Sequence, residues 1–369
     1  MRTVLISGGG IAGPVLAYWL RRHGFAPTVV ERAPGRRPGG QAVDIRGVAL
    51  DVMERMGLLD EASRLRTRMR GMSILDPDGH EVDRTTEATF SSGRLDSEDI
   101  EILREDLVRL VHDHTRAGVE YLFGDSITAL AEDETGVHVD FAHGPSGTYD
   151  LVVGADGLHS TVRRLAFGPE KRYAHHLGSY LSVFGADNFL GLDHWQMWLR
   201  DGDAGFGIMP VRDNTELRIA FGFESAPLAH DLRDTATLRR LVVDRLASTR
   251  WEGPRLSEAA RTAPDFYCDA MAQIRMEQWS RGRVTLLGDA GYCPSPLSGQ
   301  GTSLALVGAH VLADSLARAD GDHRSAYDRY ERRMRPFVTL NQALATENPG
   351  GPASEESVAR AKNALCLDG

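Results

Sequence analysis

Thr3-Val4-Leu5-Ile6-Ser7-Gly8-Gly9-Gly10-Ile11-Ala12-Gly13 is the stretch that decides the fold. An apolar run ends in glycines, and Ala12, Leu16, Trp19 and Leu20 then fall at i, i+4, i+7 and i+8, one face of a helix. Gly24 after His23 stops that helix, and Thr28-Val29-Val30 makes a second strand ending at Glu31. Gly8-x-Gly10-x-x-Gly13, set between strand and helix, is the dinucleotide-binding spacing in the context it requires. Gly8 allows the tight turn, Gly10 lets backbone approach a pyrophosphate, and Gly13 lets the helix pack on the strand. The free N–H groups at the start of that helix, beside Ala12, face the phosphates. Glu31, 18 residues after Gly13, stands where a carboxylate accepts hydrogen bonds from ribose hydroxyls.

Two later segments repeat buried strand, glycine, aspartate and helix: Leu151-Val152-Val153-Gly154-Ala155-Asp156-Gly157 and Val284-Thr285-Leu286-Leu287-Gly288-Asp289. Between them, roughly residues 173 to 267, aromatic-rich alternation appears at Trp195 to Leu199, Phe206 to Pro210 and Leu217 to Phe223. That pattern suits antiparallel strands. After Thr302 the chain reads as helical to about Ala345, interrupted near Asp320-Gly321 and kinked or broken at Pro336. Asn348-Pro349-Gly350-Gly351-Pro352 is a loop, and Glu355 to Leu367 a short final helix.

The expected fold class is therefore α/β. A Rossmann-like domain (1–72, 95–172 and 268–322) carries an inserted, mostly antiparallel substrate domain (73–94 and 173–267), and a C-terminal helical segment (323–369) follows. A length of 369 residues fits two domains. With 42% hydrophobic and 25% charged residues, a disordered tail, a fibre and a disulfide scaffold are excluded. The net charge of −10 argues against nucleic-acid binding. Three cysteines without a C-x-x-C pair encode neither a disulfide framework nor a zinc site, so no metal is expected. Glycines interrupt the apolar start, unlike a signal peptide, and no uninterrupted apolar run is long enough to span a bilayer. A cytoplasmic, monomeric protein without membrane contact is expected.

Asp289 leads into Ala290-Gly291-Tyr292-Cys293-Pro294-Ser295-Pro296-Leu297-Ser298-Gly299-Gln300-Gly301. The prolines, Pro296 among them, stiffen this approach, and Gly299 and Gly301 let backbone come close to a planar ligand around Gln300. The helix opening near Thr302 aims free N–H groups at the same place, which suits the negative charge of a reduced flavin. A proline-glycine loop that merely caps a helix is the plain alternative.

The three ordered motifs resemble those of class A FAD-dependent aromatic monooxygenases, the para-hydroxybenzoate hydroxylase family, whose FAD domain is of the glutathione reductase type. The stretches Gly39 to Gly47, Glu101 to Leu107 and Cys293 to Gly301, with Leu177-Gly178-Ser179-Tyr180, look similar to tetracycline-inactivating flavin monooxygenases (tetracycline destructases). That resemblance implies FAD held by Glu31, Arg32, Asp44, Arg104 and Asp289, with Asp156-Gly157 meeting both FAD and NADPH or NADH. It also implies that Arg36 or Arg37 meets the nicotinamide cofactor. The implied chemistry is flavin-borne, with a flavin hydroperoxide passing one oxygen atom of O2 to an electron-rich aromatic or polyketide substrate, and no catalytic side chain is named. Tyr292 stands where many family members have histidine.

Trp198, Phe206, Met209, Phe221 and Phe223 are candidates to line a pocket for the aromatic substrate, with sheet-core packing as the ordinary alternative for each. His159 and His194 are acid–base candidates whose ordinary alternative is a structural role. A flavin-dependent halogenase is disfavoured: Trp195-Gln196-Met197-Trp198 lacks the W-x-W-x-I-P pattern, and Lys171 and Lys362 are the only lysines. A disulfide reductase lacks its cysteine pair. A flavoprotein that only sequesters its ligand stays open as an alternative.

Overall fold

The computed structural model describes residues 1–36, 39–228, 234–348 and 351–369. The opening stretch folds as strand Thr3–Ser7, helix Ala12–Arg22 and strand Ala26–Glu31. A six-stranded sheet runs, edge to edge, Ser280–Arg281, Val284–Leu286, Leu151–Gly154, Thr3–Ser7, Ala26–Glu31 and Glu120–Phe123. All neighbours pair in parallel except the two-residue edge strand. Val4, Leu5, Ile6, Val152 and Val153 are fully buried, as a parallel sheet covered on both faces requires. Every recognised motif thereby sits at the carboxyl end of a parallel strand, where open α/β sheets bind ligands.

Helix Gly301–Arg318 packs on Ala12–Arg22 and on His323–Glu347. Leu306, Val307, Leu312, Tyr330, Met334 and Phe337 join the core of the parallel sheet, so the C-terminal helices complete the cofactor domain. Of the kink or break expected at Pro336, the break is absent: one helix, His323–Glu347, runs through it. Burial of Met334, Phe337 and Val338 around the proline, at ~1.5–3 kcal/mol for each such side chain, offsets the ~3 kcal/mol cost of the lost hydrogen bond. The final helix stops at Lys362, short of the expected Leu367.

The second, seven-stranded sheet runs Tyr267–Ile274, Ala174–Asp187, Glu216–Glu224, Ala204–Val211, Trp195–Asp201, Gly71–Leu75 and Glu81–Thr85. It is antiparallel apart from the pairing of Trp195–Asp201 with Gly71–Leu75. Helices Thr235–Ala247 and Gly253–Thr262 cover its outer face over a separate core. Gly71–Leu75 and Tyr267–Ile274 cross the expected boundaries at 72/73 and 267/268. Ladder hydrogen bonds draw each strand into the sheet as a unit. A ribbon of Ala42–Ile45 and Ile100–Leu103 lies beside the cavity described below.

Candidate active site

A cavity of about 1850 Å³ opens where the carboxyl ends of the parallel strands meet the inner face of the seven-stranded sheet. Two helix N-termini, at Ile11 and Gln300, reach it without a side-chain cap. Uncapped N–H groups with the positive dipole end suit anionic ligands.

Glycines shape the first of these. Gly8 has φ +116°, and a Cβ there would lie 2.3 Å from the Ala155 carbonyl oxygen. A Cβ on Gly13 would lie 2.0 Å from the Gly8 oxygen, so helix and turn touch backbone to backbone. At Gly10 a side chain would meet no atom within 4 Å, only the cavity. Glu31 accepts from Gly9 N–H through Oε2 at 2.8 Å and from Ala33 N–H through Oε1 at 2.9 Å. It therefore clamps the glycine turn and keeps further lone pairs for a ligand.

The carboxylates around the cavity are constrained differently. Asp156 accepts from Thr161 N–H at 2.8 Å, Val162 N–H at 3.2 Å and Ser7 Oγ–H at 3.3 Å, and also from Ser160. It anchors the start of helix Thr161–Phe167. Burial pushes its pKa up, against the pull of those donors. Burial likewise raises Asp289, whose Oδ1 lies 3.8 Å from where a Gly301 Cβ would sit. Asp44 pairs with Arg46 at 2.9 Å, yet burial pushes it up to about 7. Arg104 follows the ribbon and donates its backbone N–H to Gln41 at 3.0 Å.

The loop from Cys293 to Gly301 carries stored cost. Ser295 has φ +75°, a conformation worth ~1–3 kcal/mol of strain for a non-glycine residue. Gln300 is fully buried, and neither its amide nitrogen nor its oxygen has a hydrogen-bond partner. An unmet buried polar group costs ~1–3 kcal/mol. A ligand edge presenting both a donor and an acceptor, such as a flavin pyrimidine ring, would satisfy both, so these residues fit FAD.

Among the expected cofactor residues, Gly8, Gly10, Ala12, Glu31, Arg32, Asp44, Arg104, Asp156, Gly157, Asp289, Pro296, Gly299, Gln300, Gly301 and Thr302 line this one cavity. Gly13 stands behind its wall. Arg37 lies outside the described residues, and Arg36 pairs with Asp113 at 3.3 Å. Tyr292 is a core residue: its hydroxyl meets that of Tyr330 at 2.9 Å, and a side chain at Gly308 would collide with it.

The substrate half differs from expectation. Trp198 lines the cavity, but Phe221 is fully buried in the outer core. Phe206 and Phe223 edge the cavity wall yet are 2% and 1% exposed and pack in that same core. Met209 packs with Leu103 and Val211 away from the cavity. Strand alternation explains the correction: these aromatics point outward, while Gly205, Gly207, Ala220 and Gly222 point in.

Sequence reasoning missed Phe90, Tyr267 and Asp269, all cavity-lining. His159 holds Glu170 through Nδ1 at 2.9 Å and Asp269 through Nε2 at 3.1 Å, and these bonds raise its pKa to about 9. His194 instead pairs with Asp193 at 2.7 Å, outside the cavity. The C-terminal residues Pro352, Glu355, Val358, Ala359 and Lys362 close another side of the site. Among the described residues no group of acidic, histidine and cysteine side chains is arranged to hold a metal, and no helix is long and apolar enough to cross a membrane.

A family model described as the FAD binding domain matches residues 1–344. An uncharacterized protein of Mycobacterium tuberculosis is 48% identical over 369 residues, covering 100% of this chain and 99% of its own. A flavin-dependent monooxygenase of Legionella longbeachae is 38% identical over 339 residues, covering 92% of this chain and 86% of its own. The solved structure of tetracycline destructase Tet(55) matches with a TM-score of 0.88 at 36% identity, covering 100% of this chain and 98% of that one.

Proposed function

Because this chain belongs to the FAD binding domain family and is an FAD-dependent monooxygenase, we propose that it hydroxylates a polycyclic aromatic or polyketide at the expense of NADPH or NADH and O2. Tetracycline-type antibiotics are the first substrates to try. The observation that carries this reading is a single cavity in which a flavin-fitting loop faces a broad sheet surface of small residues. Likeness to a tetracycline destructase supports the choice of ligand.

The chemistry supplied by bound FAD is its reduction by the nicotinamide nucleotide, O2 activation and transfer of one oxygen atom. The N–H groups beside Gly10 and Ala12 would hold the pyrophosphate, and Glu31 and Arg32 would orient the adenosine end. Asp44, Arg104 and Asp289 would hold the flavin, and the unpartnered Gln300 amide would bond its pyrimidine edge. The uncapped N-terminus at Gly301 and Thr302 would supply the positive dipole end that favours negative charge on a bound flavin. Asp156 and Gly157 would lie along the approach of the nicotinamide, and the family resemblance proposes the same cofactor as the partner of Arg37. Trp198 forms a wall for the substrate, and the C-terminal helix excludes water from it. The proposed use of NADPH or NADH supports a cytoplasmic location, and we take the protein to act as a monomer.

The test is a panel of tetracyclines, anthraquinones and simple phenols, scored for NADPH oxidation coupled to a mass gain of one oxygen. The purified protein is expected to be yellow, and Asp289→Ala to lose flavin. A colourless protein that FAD cannot reconstitute overturns the reading. Ligand binding without NADPH oxidation across the panel points instead to sequestration.

A further inference from the structure

The register of the seven-stranded sheet lines up residues across its inner face. Tyr267 pairs with Val183, Val183 with Ala220, Ala220 with Gly207, and Gly207 with Trp198. The next inward row runs Asp269, Leu181, Gly222, Gly205 and Arg200. Ala220 and Gly207 of the first row and Gly222 and Gly205 of the second floor the cavity with small residues, with Leu181 beside them, while Val183 is buried outside it; large side chains stand at the ends. Four strand spacings separate Trp198 from Tyr267, or ~19 Å.

The Trp198 end is fixed in place. Its indole N–H donates to Gln196 Oε1 at 2.9 Å, and the Gln196 amide, 1% exposed, donates to Ser91 Oγ at 2.6 Å. The Phe90 ring meets the indole edge-on at 5.3 Å. Gly207 is required beneath it, because a Cβ there would lie 2.6 Å from the indole ring.

The Tyr267 end is polar and oriented. Tyr267 is 40% exposed, and its hydroxyl donates to Asp269 at 3.0 Å. His159, carrying both ring protons at neutral pH, bonds Asp269 on one side and Glu170 on the other. Arg163 completes the row by bonding Glu170 at 2.6 Å. With its only proton directed to Asp269, the Tyr267 oxygen can offer the cavity nothing but lone pairs.

We propose that this trough binds a flat, multi-ring ligand lying across the strands, with its rings against Trp198 and a phenol or enol O–H at its far end donating to the Tyr267 hydroxyl. The inference rests on the monooxygenase reading above and specifies its substrate. Selection is for a protonated O–H. An ether or an anion at that position has no proton to give, and Asp269 behind the tyrosine repels the anion.

The test is equilibrium binding to the FAD-loaded protein, read by the change in flavin absorbance. The probes are 2,6-dihydroxyanthraquinone, its dimethyl ether, and resorcinol as a single ring. Tyr267→Phe is expected to weaken the diol about tenfold and to leave the ether within about twofold. Ala220→Leu, which raises the floor, is expected to weaken both anthraquinones about tenfold or more while sparing resorcinol. Unchanged flavin content and melting temperature show that each variant is folded. Equal loss of diol and ether in Tyr267→Phe, unchanged binding in Ala220→Leu, or failure of both anthraquinones to bind overturns the proposal. The expected pattern without any NADPH oxidation keeps the trough and removes the monooxygenase substrate reading. Turnover of other aromatics without that pattern does the reverse.

Discussion

The parallel sheet meets the cavity with the ends of its strands, whereas the seven-stranded sheet meets it with a face. At strand ends the ligand sees main chain: the glycine turn at Gly8, helix N–H groups, and a carboxylate after three of the strands, at Glu31, Asp156 and Asp289. On a face the ligand sees every second side chain, so Ala220 and Gly222 line the site while Phe221 and Phe223 build the outer core. Backbone contacts demand particular residues at particular spacings. A sheet face demands only that one side be apolar and packed, and it leaves the other side free to take the shape of a substrate. The same cavity thus has one half written in motifs and the other in alternation.

The comparison breaks most severely at Gly13. A side chain there runs into the Gly8 carbonyl oxygen at 2.0 Å, and neither backbone can move without opening the turn. Gly13→Val is expected to abolish flavin retention, a loss of more than about a hundredfold or ~3 kcal/mol. The flavin-to-protein ratio after gel filtration measures it. Full flavin occupancy would mean that the strand-end geometry does not govern binding.

Phe221→Ala probes the other sheet. Deleting a fully buried ring from the outer core should cost ~3–5 kcal/mol of stability. Because the ring points away from the ligand, flavin affinity and anthraquinone affinity in the folded fraction should stay within about twofold. Urea unfolding and binding on the same sample decide it, and a selective loss of ligand affinity would return Phe221 to the site.

These two positions also show what was legible in the amino-acid sequence. Gly13 was readable because no other residue allows helix and turn to touch, and the three motifs together gave the parallel sheet, FAD, and residues that converge on one cavity. Phe206, Phe221 and Phe223 were misplaced because alternation separates two faces without saying which one is covered by helices. The clue lay between them, in Gly205-x-Gly207 and Ala220-x-Gly222, where two neighbouring strands keep only small residues on one face. His159 and Asp269 come from distant segments and meet only through tertiary packing. Neither spacing nor composition carries that information. At Pro336 local propensity marks a kink or a break, and tertiary burial keeps the helix continuous through it.

The His159 cluster joins the two halves and gives a pH test of their junction. Its folded pKa of about 9 stands above the ordinary 6.5 because Asp269 and Glu170 hydrogen-bond the charged ring. For a raised histidine the stabilisation is fully present below pH 6.5 and is lost as pH rises through about 9. That shift bounds the contribution at ~3 kcal/mol. Unfolding free energy should therefore fall between pH 7 and 10 in the native protein. His159→Gln should be less stable at pH 7 and should show a flatter profile across that window. Parallel profiles would mean that the cluster does not link folding to protonation.

The smallest expected effect is at Glu31, and it separates two ways in which a strand end can hold a ligand. Its carboxylate accepts from Gly9 N–H and Ala33 N–H, one bond to each oxygen. Glu31→Gln keeps the shape but turns one acceptor into a donor facing another donor, so one clamp bond is lost. That costs ~1–1.5 kcal/mol, or about tenfold in FAD affinity. Adenosine competition for the apoprotein site distinguishes the cause. If the carboxylate acts by bonding the ribose, adenosine affinity falls by the same factor as FAD affinity. If it acts by holding the glycine turn for the pyrophosphate, FAD affinity falls and adenosine affinity stays within about twofold. A Glu31→Gln protein that binds both ligands normally would remove the side chain from the cradle and leave the strand end to its backbone alone.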